Sequence, residues 1–481
     1  MSPLSEIDTP MTPTELRASA SLAAIYMLRM IGMFLILPVF AVMSRDLSDA
    51  TPALVGLAIS AYGLTQAVFQ IPFGLWSDRY GRKKLIALGL LIFAAGSAVA
   101  AGSDSIYGII AGRAMQGAGA VAAVVMALAA DLTREEHRTK AMAMIGISIG
   151  ISFALSMVTG PVLTRWLGLS GLFWIIAVLA LVAIVVLFTI VPNPVVSRFH
   201  RDAEARPAAF ADVLKNPELL RLDFGIFCLH LILTATFVVL PVLLKDRLLM
   251  DTATHWQVYL PVFVLAMGSM VPFVILAEKK RRMKTVFVAF IGLVALADAG
   301  FAGLSTTFWG LFILLYLFFT AFNLLEATLP SMISKIAPPD LKGTAMGIYS
   351  TAQFLGAFAG GAGGGWLHGR FGAEAVFVYC AGVAALWLLV AMGMKPPRHV
   401  STLLLNTGVL EPGQARRLAE ALRTVAGVAE AVVQGDEGVA YLKVDRHQLD
   451  RIALGNALTL PITPDSTTLT PEGESNGLTR Y

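Results

Sequence analysis

Between residues 17 and 394 the chain alternates long apolar runs with short polar breaks. A bilayer core about 30 Å thick calls for about 20 apolar residues per helix. Runs of about that length lie at 17–43, 53–76, 84–102, 106–130, 140–164, 171–192, 221–244, 256–277, 284–304, 308–334, 343–366 and 373–394. They predict twelve membrane-spanning helices. The runs lack the period-two alternation of a transmembrane barrel. Their many Gly and several Pro suit a helical bundle in lipid, where neighbouring helices re-satisfy freed backbone groups.

The polar breaks divide the chain further. Residues 193–220, with Pro194, Pro207, Pro217 and a charge cluster, read as a linker between two six-helix halves, 1–192 and 221–395. The halves repeat one another. Lys140-Ala141-Met142-Ala143 matches Thr344-Ala345-Met346-Gly347, Gly160 matches Gly364, Gly168 matches Gly372 and Phe173 matches Phe377, all 204 residues apart, with Pro38 and Pro241 close to that offset. A duplicated six-helix unit is the layout of carriers whose halves rock about a central site.

After Pro396-Pro397 the pattern becomes that of a water-soluble module. Strands are predicted at 402–405, 431–433 and 439–444, the last two flanking a turn at 434–438. Helices are predicted at 412–425, with Leu418, Leu422 and Val425 on one face, and at 446–458, with a short strand near 458–462. That order resembles a ferredoxin-like fold over 400–462. The Pro-, Ser- and Thr-rich end, 463–481, is expected to be a disordered tail. The fold class is therefore an all-α polytopic membrane protein with a small cytoplasmic α+β appendage.

Composition agrees. Of 481 residues, 57% are hydrophobic and 14% charged, with mean hydropathy +0.73, beyond what a soluble domain of this length needs. The net charge of +4 does not call for nucleic acid, because the cations are sorted by loop. Arg79, Arg82, Lys83, Lys84, Arg134, Arg138, Lys140, Arg198, Arg201, Arg206, Lys215, Lys279, Lys280, Arg281, Arg282, Lys284, Lys335 and Lys342 fall on one side. The other side has only Arg45, Arg165, Lys245, Arg247 and Arg370. This positive-inside bias places both termini in the cytoplasm. Residues 1–15 have neither a basic n-region nor a cleavage site, so no cleaved signal peptide is expected. Cys228 and Cys380 lie in apolar runs and read as fillers, without disulfide or metal-ligand spacing. No phosphate-binding Gly-Lys-Ser/Thr loop is present, so ATP is not expected to drive the protein; the expected energy source is a proton gradient, with no cofactor and no metal.

The loop Gly74-Leu75-Trp76-Ser77-Asp78-Arg79-Tyr80-Gly81-Arg82-Lys83-Lys84 carries the most chemistry. Gly74 and Gly81 permit close packing and a tight turn. Asp78 can face a helix N-terminus, and Arg82 can bridge to another acid. This loop resembles the signature G-x-L-a-D-r-x-G-r-k of the major facilitator superfamily, with Trp76 at the usual Leu. Arg113-Ala114-Met115-Gln116-Gly117-Ala118-Gly119-Ala120 resembles that family's fourth-helix motif, whose arginine is associated with proton coupling. Gly160-Pro161 resembles the fifth-helix kink motif of its drug/proton antiporters, departing from it at Ser156, Thr164 and Arg165. The runs 67–74, 131–135 and 322–327, with the C-terminal module, are similar to one bacterial inner-membrane member of the family. That resemblance implies a conformational lock made by Asp78, Arg82 and Asp131.

A polar set completes the candidate site. Arg29, Arg113, His230, and Asn323 with Glu326 fall on the first, fourth, seventh and tenth predicted helices, which line the central cavity in the family. Glu326 is the expected protonatable group, since desolvation and nearby cations shift a buried carboxylate in opposite senses; a static pair with Arg29 or Arg113 is the structural alternative. His230 suits a proton shuttle or an interhelical hydrogen bond. Gln66, Gln70 and Gln353 suit substrate or packing contacts, and Asp298 is expected to reach the interface. The expected function is proton-coupled export of small molecules by a monomer in the bacterial inner membrane. A nutrient symporter or facilitator, and a membrane sensor signalling through the C-terminal module, are the alternatives.

Overall fold

The computed structural model describes residues 10–134, 137–194, 209–304, 306–338, 341–396, 400–445 and 448–459. Half of the linker, with Arg198, Arg201 and Arg206, the end of the last expected strand and the expected tail lie outside the described residues. Residues 10–399 form one compact unit and the chain from Val400 onward belongs to another.

The first unit is helical. Its elements are α1 (Pro13–Phe34), α2 (Phe40–Met43), α3 (Pro52–Tyr80), α4 (Arg82–Ala101), α5 (Ile106–Ala118), α6 (Ala122–Asp131), α7 (Arg138–Thr189), α8 (Phe210–Leu214), α9 (Pro217–Asp246), α10 (Trp256–Lys279), α11 (Met283–Leu304), α12 (Phe308–Ile336), α13 (Lys342–Phe371) and α14 (Ala373–Met392). Among the described residues, nine helical stretches are long and apolar enough to cross a bilayer. One of them is α5 with α6, and another is nearly all of α7. The expected runs at 17–43 and 343–366 fall on α1, which carries Glu15, Arg17 and Arg29, and on the Gly-rich α13. Both are less apolar than the nine.

Two expected runs are divided differently from the sequence reading. The first breaks between Phe34 and Phe40, around Pro38. The fourth breaks after Ala118, where a Cβ on Gly119 would lie 2.2 Å from the Gly89 carbonyl oxygen. The gap expected between the fifth and sixth runs is a break at Gly168, φ +61° and ψ −171°, and Pro161 of the expected kink lies inside α7. Gly372, between α13 and α14, has φ +86° and ψ −178°. Two glycines 204 residues apart thus hold the same left-handed corner, which side chains with a Cβ resist.

The repeat extends to packing. On α7, Ser152 donates to Met27 O at 3.1 Å, Ser156 to Ile31 O at 3.5 Å, and a Cβ on Gly160 would meet Leu35 O at 2.4 Å. Their counterparts on α13 are Gly356, Gly360 and Gly364, whose added Cβ atoms would lie 2.1 Å from Phe227 O, 2.0 Å from Leu231 O and 3.0 Å from Ala235 Cα on α9. Each half is therefore built on a parallel helix pair held in fixed register by three small residues. Ser156, a departure from the antiporter motif, occupies the rung that Gly360 fills in the other half.

The halves meet along α3 and α13, where Gly63 faces Phe354 O and Gln70 Nε2 donates to Thr351 Oγ1 at 2.7 Å and Gly347 O at 3.3 Å. They also meet at the end of the bundle away from Gly81. There Arg45 binds Asp246 through two bonds of 2.9 and 2.6 Å, and Phe153 of α7 packs on Phe237, Phe263 and Phe319.

One turn before the first expected membrane run, Thr12 and Glu15 form a reciprocal cap on α1. Glu15 also accepts from Arg134, from its backbone N–H at 2.8 Å and from Nε at 3.0 Å. Burial pushes the Glu15 carboxyl up, but the hydrogen bonds from Arg134 and Thr12 outweigh it and bring the value down to about 2 from the ordinary 4.5. A depressed folded value means that the stabilisation is complete above 4.5 and lost as pH falls toward 2. Glu15→Gln is expected to lower the thermal midpoint at neutral pH, with the gap to the parent closing across that acid window. Detergent-phase melting curves against pH measure this.

The second unit is a three-stranded antiparallel sheet, β1 (Ser401–Asn406), β2 (Val428–Gln434) and β3 (Val439–Val444), in the order β1-β3-β2, with α15 (Pro412–Arg423) after β1 and α16 (Arg451–Thr459) after β3. Leu405, Leu418, Leu422, Leu442 and Leu454 share its core. β2 starts three residues earlier than expected and carries an irregularity between Val428 and Glu430. α16 starts five residues later than expected.

Candidate functional site

Three clusters gather the residues singled out by sequence. The first sits where α3 turns into α4 through Gly81, at φ +94° and ψ 134°. The turn swings Arg82 back over the end of α3. Its Nη1 donates to Asp78 and to Ser77 Oγ at 2.8 Å, and its Nε to Asp131 Oδ2 at 3.0 Å. The side chains of Arg82 and Asp131 are 1% and 0% exposed, whereas Asp78 keeps 34%. Gly74 does not make the tight contact expected of it, for an added Cβ would meet only Ala123 Cβ at 3.9 Å, an ordinary separation. Gly81 alone carries the backbone requirement.

The second cluster lies inside the first half. Arg29 Nη2 donates to Tyr62 Oη and, at 2.5 Å, to Gln66 Oε1. Arg113 donates from Nη1 to Gln116 Oε1 at 2.7 Å, from Nη2 to Ile59 O at 3.2 Å and from Nε to Ala58 O at 3.4 Å. Both guanidinium groups approach the Tyr62 ring, 5.7 and 5.1 Å from its centroid. Gln116 in turn donates to Ser97 Oγ at 2.7 Å.

The third cluster joins α9, α12 and α13. Gln353 Nε2 lies 2.8 Å from His230 Nε2 and 3.4 Å from Glu326 Oε1, and His230 Nδ1 lies 3.9 Å from Glu326 Oε2. Glu326 retains 35% of its side-chain exposure midway along α12. The alternative of a static pair between Glu326 and Arg29 or Arg113 is not what forms: the described partners of Glu326 are His230 and Gln353. Asn323, almost one turn earlier on α12, has a buried Nδ2 without a hydrogen-bond partner. Gln70 serves the seam between the halves.

Sequence reading missed several members. Tyr62 and Gln116 were legible as polar residues at helical spacing from Gln66 and Arg113. Asp223, a lone acid two turns before His230, is buried with both oxygens unpartnered. Asp298 does not reach the interface as expected. It is 0% exposed, with both oxygens unpartnered.

Comparison with known proteins places these clusters in context. The family model of the Major Facilitator Superfamily matches residues 22–361 and 270–425. The inner membrane transport protein YajR of Escherichia coli (strain K12) is 50% identical, over 94% of this chain and 99% of its own. Multidrug resistance protein MdtH of Aeromonas salmonicida (strain A449) is 25% identical, over 77% of this chain and 94% of its own. Among solved structures, a bacterial homolog of the human lysosomal transporter Spinster, inward-facing and unoccupied, superposes with TM-score 0.65 at 14% identity, covering 79% of this chain and 98% of that one.

Proposed function

The chain belongs to the Major Facilitator Superfamily and is a membrane transporter, and we propose that it couples proton entry to the export of small molecules by alternating access. Twelve helices in two halves cross the membrane, with the basic loops, both termini and a ferredoxin-like domain in the cytoplasm. In that orientation the contacts between Arg45 and Asp246 and around Phe153 close the outer side. Asp78, Arg82 and Asp131 form the lock. Asp78, the exposed member, reaches across when the cytoplasmic ends close.

The observation that carries the reading is Glu326: a carboxylate midway along a membrane-spanning helix, hydrogen-bonded by Gln353, close to His230 and with Oε2 lacking a hydrogen bond. A group so placed gains and loses a proton as the side open to water changes. The similarity to a multidrug resistance protein supports export over import.

Reconstituted vesicles with a pH-sensitive dye inside test it, as a panel of amphipathic compounds is added. The expected result is proton movement opposite to the transported compound. Glu326→Gln should cut that movement at least about tenfold, the weight of about 1.4 kcal/mol on the coupled step. Unchanged proton movement in Glu326→Gln removes the proposal.

A further inference from the structure

The Arg29 cluster has more hydrogen-bond donors than acceptors. Arg29 Nη2 is spent on Tyr62 and Gln66, but Arg29 Nε and Nη1 are buried without a partner, and so is Gln66 Nε2. The amide orientation is fixed by chemistry: guanidinium only donates, so the Gln66 atom that Arg29 contacts is the oxygen and the nitrogen points elsewhere. Arg29 is 1% exposed and Gln66 0%. Unmet buried donors are costly, and unmet buried charge more so.

Neighbouring groups do not meet the need. Each nitrogen of Arg113 has an acceptor of its own in Ala58, Ile59 or Gln116, so its charge adds to that of Arg29. No ion pair involves either arginine among the described residues. Glu326 is engaged with His230 and Gln353. What the cluster lacks is an oxygen acceptor bearing negative charge.

Its position is that of a substrate site. Tyr62, against which both guanidinium groups rest, contacts the Phe354 ring of α13 at 6.3 Å, and Phe354 follows Gln353, the residue that binds Glu326. The donors thus lie against the seam between the halves. The donors are enclosed in this conformation and become reachable from the cytoplasm when the contacts of Gln70 with Thr351 and Gly347 part, as a site that loads an exported compound must.

We propose that Arg29 and Gln66 form the receptor for an oxyanion group of the substrate, so that the exported compounds are organic anions: carboxylates, sulfonates or phosphate monoesters. The anion supplies the missing acceptor, and a neutral or cationic analogue leaves the donors unmet. The proposal rests on the transporter reading but not on its proton coupling. Loss of proton coupling with anion binding intact overturns only that reading, and the reverse result overturns only this one.

Thermal unfolding of the purified full chain in lipid-free maltoside detergent, where no headgroup phosphate competes, tests it against a library of organic anions, each paired with its neutral amide or ester. Ligands that bind the folded state raise the midpoint. The expected hits are anions whose neutral partners are silent, and Arg29→Gln should weaken them at least about tenfold, the low end for a charge-assisted pair. Gln66→Glu guards against misfolding of that variant, since it gives Arg29 an internal carboxylate. It should raise the midpoint of the ligand-free protein and abolish the response to anions. Neutral or cationic hits, no hits in the anion library, or anion binding that survives in Gln66→Glu each overturn the proposal.

Discussion

Arg82→Met will destabilise the protein by about 3–5 kcal/mol, the range for breaking one side of a buried ion pair. The Arg82 and Asp131 side chains are 1% and 0% exposed, so water does not replace the Nε bond that Asp131 loses. One guanidinium also serves Ser77 and Asp78, and a lysine ammonium has no planar fork with which to hold three acceptors in fixed directions. Arg82→Lys should therefore recover only part of the loss. Asp78→Asn, at the wetter edge of the cluster, should leave expression and melting near the parent and slow the transport cycle. Melting midpoints in detergent, beside initial transport rates in vesicles, separate the two effects. An Arg82→Met protein that melts within a degree or so of the parent would show that the cluster does not anchor the turn.

Gly56→Val should stop transport at a different place. A Cβ at Gly56 would lie 2.1 Å from Gly361 O and 2.7 Å from Gly365 Cα, so α3 and α13 cannot keep their present separation. Overpacking of this kind costs about 1–3 kcal/mol. Charged to the conformation with the seam closed, that cost displaces the equilibrium between the carrier's two states about 5- to 150-fold. Phe153→Cys, in the aromatic cluster between the halves, reports the opening by alkylation with a membrane-impermeant maleimide. The two native cysteines are buried and contribute little background. Gly56→Val should raise the labelling rate about tenfold or more and lower flux to match. Gly268→Val is the control, since nothing lies within 4 Å of an added Cβ there. Equal labelling in Gly56→Val and Gly268→Val would detach the seam from the cycle.

Much of this was legible in the chain because lipid makes apolar length diagnostic. The run expected at 308–334 is α12 at Phe308–Ile336, and the one at 256–277 is α10 at Trp256–Lys279. The pairing of Arg82 with Asp78 was legible because charges beside a Gly turn have few other uses, whereas Asp131 came only with the family resemblance. Helix interruptions were less so: the break at Gly119 falls inside a run that apolar length alone makes continuous. Partner choice was also hidden. Glu326 could be placed on a polar helix face from sequence, but its bond to Gln353 rather than to an arginine follows from the relative register of α12 and α13, which periodicity does not encode.

The two ladders of small residues differ in kind. On α7 two of the three rungs are hydroxyls bonded to carbonyls of α1, whereas all three on α13 are bare glycines in contact with α9. The first half thus has polar contacts across its ladder that the second lacks, so the second offers less resistance to sliding along its own axis. Any elastic give during the stroke of this machine falls on that side, beside the carboxylate proposed to carry the proton.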